Sequence, residues 1–119
     1  MDSLQALHTF WSSFGWKAYD ETSVPDEAEL PRITYEVSQD YFNSTLAQTA
    51  SLWIRATGWT SINEKAQEIS DYIGRGGRMI PFDGGALWIR RGLPWAQRMS
   101  DEDDTIRRIV LNIEIEFIE

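Results

Sequence analysis

The chain has 119 residues, 42 % of them hydrophobic and 13 % aromatic, with a formal net charge of −8 and no cysteine. This is enough apolar mass for one domain with a real core. The composition excludes disulfides, thiolate nucleophiles and Cys-ligated metals, and the acidic balance lacks the electrostatic footprint of a nucleic-acid binder. No apolar run reaches membrane-spanning length, and the first residues lack the basic-then-apolar pattern of a secretory signal.

Residues 2–14 read as a helix that Asp2 or Ser3 can cap, with Leu4, Leu7, Trp11 and Phe14 as its apolar stripe and Gly15 as its stop. Residues 16–19 (WKAY) suit a short edge strand. The stretch 20–31 is acidic, holds Pro25 and Pro31, and is expected to be a mobile loop. Residues 32–39 alternate, with Ile33, Tyr35 and Val37 on one face, as a strand does; 40–47 read as a turn with strand ends. In 49–57, Ala50, Leu52 and Ile54 oppose Ser51, Trp53 and Arg55, which is again a strand.

Ser61 and Glu64 have the spacing of a capping box. Ile62, Ala66, Ile69 and Ile73 then fall on one helical stripe, and Gly74 stands where a helix C-cap is expected. Asp83-Gly84 between two apolar runs signals a hairpin. Residues 92–103 (GLPWAQRMSDED) read as a loop, and a long strand begins near Asp104. In that last strand Ile109, Leu111, Ile113, Ile115 and Phe117 share one face. Arg108, Asn112, Glu114 and Glu116 take the other, with Val110 and Ile118 as apolar exceptions. The order predicts an α+β domain, residues 1–119, with a mostly antiparallel sheet of 4–6 strands and two helices packed on one face.

No motif carries chemistry. His8, the one histidine, has no converging partners by spacing, so a boundary position is the simpler reading. The GRGG at 74–77 follows a helix and precedes a strand, the reverse of a phosphate loop, and is expected to end the helix and turn the chain. Consecutive carboxylates at 101–104 lack calcium-loop spacing, and Glu114 with Glu116 reads as the solvent face of a strand rather than a glycosidase pair. No catalytic residue, cofactor site or metal site is expected.

The charge is uneven. Asp20, Glu21, Asp26, Glu27 and Glu29 lie in one stretch, and Arg75, Arg78, Arg90, Arg91 and Arg98 in another. Solvated loops are the plainer reading, and patches that meet between copies the sharper one. Six tryptophans exceed what so small a core needs. Trp11 and Trp53 are assigned to the core. Trp88 and Trp95, with Arg90, Arg91 and Arg98, are assigned to an interface, since Trp and Arg anchor such contacts.

Four stretches together resemble one family. They are LPRITYEV at 30–37, SLWIRATGW at 51–59, IGRGGRMIPFDGGALWIRRGLPWAQRM at 73–99 and DDTIRRIVLNIEIEFIE at 103–119. The layout is similar to the tail terminator (tail completion) proteins of long-tailed phages and prophages. That resemblance implies a non-enzymatic, cofactor-free protein of the virion, assembled in the host cytoplasm. It implies a ring, commonly a hexamer, that caps the tail tube, stops its polymerisation and meets a head-completion or neck protein. DNA would pass through without specific binding, and no membrane is involved. In such a ring the face of Arg108, Asn112, Glu114 and Glu116 is a candidate channel wall or subunit contact, and the acidic loop orders on assembly. Rival readings are a head–tail connector or stopper of the same neck, a small ligand-binding domain with an aromatic pocket, and a monomeric regulatory module.

Overall fold

The computed structural model describes residues 1–37 and 45–118. The end of the strand expected at 32–39 and much of the turn expected at 40–47 lie outside those residues. The elements are α1 (Ser3–Ser12), β1 (Lys17–Asp20), β2 (Arg32–Tyr35), β3 (Thr45–Arg55), α2 (Thr60–Ile73), β4 (Arg78–Phe82), β5 (Gly85–Met99) and β6 (Ile106–Ile118). They form one six-stranded sheet in the order β1-β2-β3-β6-β5-β4. Among the described residues only β1 and β2 pair in parallel, and the other pairs are antiparallel. The fold is therefore α+β, with a mixed but mostly antiparallel sheet.

The long C-terminal strand lies in the middle. It pairs with β3 along residues 106–116 and with β5 on its other side. Period-two alternation sends Ile109, Leu111, Ile113, Ile115 and Phe117 to one face, where each is buried. Leu52, Ile33, Leu87 and Ile89 join them from neighbouring strands, and α1 and α2 close the core from above. Val110 and Ile118 lie on the opposite face with the polar residues, as their positions require.

The first helix is capped by Asp2 as the sequence allowed, and the start of the second differs from the sequence reading. In α1 the capping box is Asp2 with Gln5: the Asp2 carboxylate accepts the Gln5 N–H at 2.8 Å, and the Gln5 side chain accepts the Asp2 N–H at 2.9 Å. Its buried stripe is Ala6, Leu7, Phe10 and Trp11, continued by Phe14 just past the helix. That stripe centres near Phe10, so Leu4 falls on its margin and stays exposed beside Met1. In α2 the expected Ser61–Glu64 box does not form. The N-cap is Trp59, with no side-chain cap bond. Its ring lies against the Arg98 and Arg107 guanidinium groups, at 4.8 and 5.4 Å, and its carbonyl accepts the Asn63 N–H. The helix thus begins at Thr60, and Ser61 is already inside its first turn. The stripe Ile62, Ala66, Ile69 and Ile73 is buried as expected.

The segment expected as a loop at 92–103 is mostly strand. β5 continues to Met99, with a register shift against β6 between Arg91 and Ala96. A bulge with an apolar residue and a proline reads as a loop locally, but the partner strand recaptures the chain beyond it. β6 then runs Ile106–Ile118, within two residues of the expected start. The DEDD run feeds it through two side-chain turns: Asp101 accepts the Asp103 N–H, and Asp103 accepts both the N–H and the hydroxyl of Thr105.

Those Thr105 bonds hold the Asp103 carboxyl below 3.8, the ordinary aspartate value, although the group is fully exposed. A depressed folded-state pKa contributes stability that is complete above the ordinary value and is lost as pH falls through the folded one. A carboxyl-detected NMR titration should place the Asp103 midpoint below the ordinary aspartate value. Thr105→Val should move it upward. An Asp103 midpoint unchanged by Thr105→Val would show that the hydroxyl bond is not the cause.

Candidate assembly surface

Among the described residues, both helices lie on one face of the sheet and none covers the other. On the uncovered face, Arg32, Trp53 and Arg108 are direct partners across β2, β3 and β6. The Arg108 guanidinium lies 4.5 Å and that of Arg32 5.5 Å from the Trp53 ring centre. The Trp53 indole donates to the Thr34 hydroxyl, and Arg108 donates through two nitrogens to the Ser51 hydroxyl. Trp53 is therefore not a core residue. Its place in β3 alternates with buried Leu52, so the ring must face the other way.

A second cluster lies on the same face, toward the hairpin. Arg90 stacks on Trp88 at 4.2 Å and pairs with Glu114 at 3.6 Å and Glu116 at 3.9 Å. The two carboxylates thus flank one guanidinium instead of facing solvent as a free pair. The Trp88 indole donates to the Gly76 carbonyl at 3.0 Å, so the GRGG turn rests on the hairpin. Gly74 and Gly77 both take positive φ, 76° and 90°, which is the stop-and-turn role read from the sequence. Asn112 donates to the Pro94 carbonyl and to Gln97 within this face.

The five Trp and Arg residues singled out in the hairpin region do not share one surface. Trp88 and Arg90 lie on the uncovered face. Arg91 alternates to the helix side and donates to the Ser70 hydroxyl at 2.8 Å. Trp95 is not in a free loop: it sits within the β5 bulge, packs against the core and donates to the Ala66 carbonyl of α2. Arg98 lies over Trp59. His8 is exposed on α1, with its ring nitrogens beside the Tyr35 and Ser12 hydroxyls. Among the described residues no group of three or more His, Asp or Glu side chains gathers as a metal would require.

The sheet order gives the charge asymmetry a direction. At one edge stand β1 and the 21–31 crossing, which carry Asp20, Glu21, Asp26, Glu27 and Glu29 against Lys17. The crossing is tied down locally. The Ala28 N–H donates to the Pro25 carbonyl, and the Ala28 carbonyl accepts from Arg32. At the other edge stand α2's C-terminal turn, β4 and β5, with Arg75, Arg78, Arg90, Arg91 and Arg98 against Asp83. β4 pairs with residues 85–89 of β5, so among the described residues the outer edge of β5 beyond Ile89 has no strand partner. The bulge sits there and holds Leu93 outward at 96 % exposure. Sequence reading missed Leu93; the signal available was a leucine directly ahead of Pro94 in a segment read as a loop.

No family model matches this chain, and no curated protein does. Among solved structures, it is similar to a chain in the virion of a native gene transfer agent particle. The two share 19 % identity and a TM-score of 0.60, over 99 % of this chain and 87 % of the other. The likeness is one of fold, and it runs from end to end of the domain.

Proposed function

We propose that this chain is a structural virion protein of a tailed phage or prophage, acting as the tail terminator that closes the tail tube in a ring. The observation that carries this reading is the end-to-end fold likeness to a chain of a virion particle. The uncovered sheet face and the oppositely charged edges support it, since head-to-tail contacts join different surfaces around a closed ring. The acidic balance suits a conduit that does not grip DNA. On this reading the partners are further copies of the chain, commonly six, the tail tube protein below and a neck protein above.

The test is reconstitution with the tail tube protein encoded beside it. Tubes grown alone should lengthen without limit in negative-stain micrographs. Tubes grown with this chain should arrest and carry a ring at one end. Unchanged tubes together with binding to the portal-side adaptor would replace this reading with that of a head-side stopper.

A further inference from the structure

The charged edges each carry a shape as well as a sign. On the basic edge, Leu93 projects almost wholly into solvent from the β5 bulge, with Arg75, Arg90 and Arg91 lining the hollow beside it. On the acidic edge, β1 and the 21–31 crossing enclose a cleft of about 520 Å³. Trp16, Tyr19, Ala28 and Leu30 line it, and Glu27 and Glu29 stand among its lining residues. The first is an apolar knob beside three cations, one of them, Arg90, already paired with Glu114. The second is a cleft of mixed lining, with Trp16 and Leu30 beside the anions Glu27 and Glu29 and the cation Lys17.

We propose that the Leu93 bulge of one copy seats in the β1-crossing cleft of a second copy. This rests on the ring reading above and names the contact that would build it. A solvated leucine gains on burial, and one such side chain is worth roughly a ten- to hundredfold in association constant. Arg75 and Arg91 then meet Glu27 and Glu29 at the rim, which fixes orientation and excludes like-charged pairings. Knob and cleft lie at opposite edges of one sheet, so each copy offers one to each neighbour. Such a heterologous contact either closes into a ring or runs on as a filament. Within one chain β1 and β5 are separated by β2, β3 and β6, roughly 19 Å at ordinary strand spacing.

The absence of native cysteine makes the test direct. A Leu93→Cys, Ala28→Cys double variant cannot bridge within one chain across that distance. Oxidised on assembled, tube-capping particles, it should give a ladder of disulfide-linked multimers. A Leu93→Cys, Gln67→Cys control, with its second thiol on the exposed side of α2, should not. Leu93→Asp should weaken self-association at least tenfold in sedimentation while leaving the thermal melt unchanged, since the side chain touches little in the free subunit. Rings that form normally with Leu93→Asp and give no ladder would overturn the knob and cleft but leave the ring standing. Failure of the unaltered chain to form any ring, alone or on tubes, would overturn both.

Discussion

Replacing Trp11 with alanine is expected to lower the unfolding free energy by about 4 kcal/mol, the usual cost of emptying a buried tryptophan site. The Trp11 side chain is 1 % exposed. It stacks on Tyr35 at 6.4 Å and meets Phe10 edge-on at 4.8 Å and Phe14 at 6.5 Å. These contacts join α1 to β2, and small side chains cannot refill the space. For a domain of this size the loss corresponds to a melting temperature lower by roughly 15 °C. Trp53→Ala is the informative contrast. Its ring lies on the uncovered face between two guanidinium groups, so about 1 kcal/mol is expected. Urea titration of both variants, followed by circular dichroism, decides the matter. Equal losses would show that the uncovered face is packed as firmly as the core.

Gly77→Ala is the second large effect, expected at about 3 kcal/mol. Gly77 has φ +90°, which costs an L-residue roughly 1–2 kcal/mol. An added Cβ would also stand 2.8 Å from the Ile89 carbonyl and 2.6 Å from the Trp88 indole nitrogen. Backbone cannot swing away from the first contact, so the GRGG turn must lift from the hairpin. Gly84 supplies the control, because it too has positive φ, +92°, yet meets nothing within 4 Å. Gly84→Ala should therefore show the backbone cost alone. The Trp88 indole N–H, bonded to Gly76 in the native protein, should exchange with solvent faster in Gly77→Ala and not in Gly84→Ala. An unchanged exchange rate would mean that the turn tolerates the methyl group by another route.

The uncovered face and the edges join these local effects to the proposed assembly. Arg90 is held by Trp88, Glu114 and Glu116, and Arg91 by Ser70, so neither swings freely. Groups fixed in advance lose less entropy when a partner binds, which suits a rim that must be met in one register. Leu93 has no such ties and gains most from being covered.

Much of this protein was legible before its fold was known. The alternation in β6 gave both faces residue by residue, because a strand's side-chain period allows no other arrangement. The α2 stripe, the Gly74 stop and the Asp83-Gly84 hairpin followed from local geometry in the same way. Motifs that depend on where an element starts were less secure. Ser61–Glu64 has the right spacing for a capping box, but Trp59 is pinned by Arg98 and Arg107 from strands distant in sequence, and that contact moved the helix start. Residues 92–99 look like a loop alone and are a strand only because β6 is there to pair with them.

By itself, then, the sequence determined the class of the fold, the inward face of each long element and the turn glycines, since these depend on neighbours a few residues apart. Only the tertiary structure decided that Trp53 lies outside the core, that Arg90 and Arg91 face opposite ways in use, and that the acidic and basic stretches occupy opposite edges of one sheet. Strand order does that, and strand order is set by which apolar faces can be buried together across the whole chain.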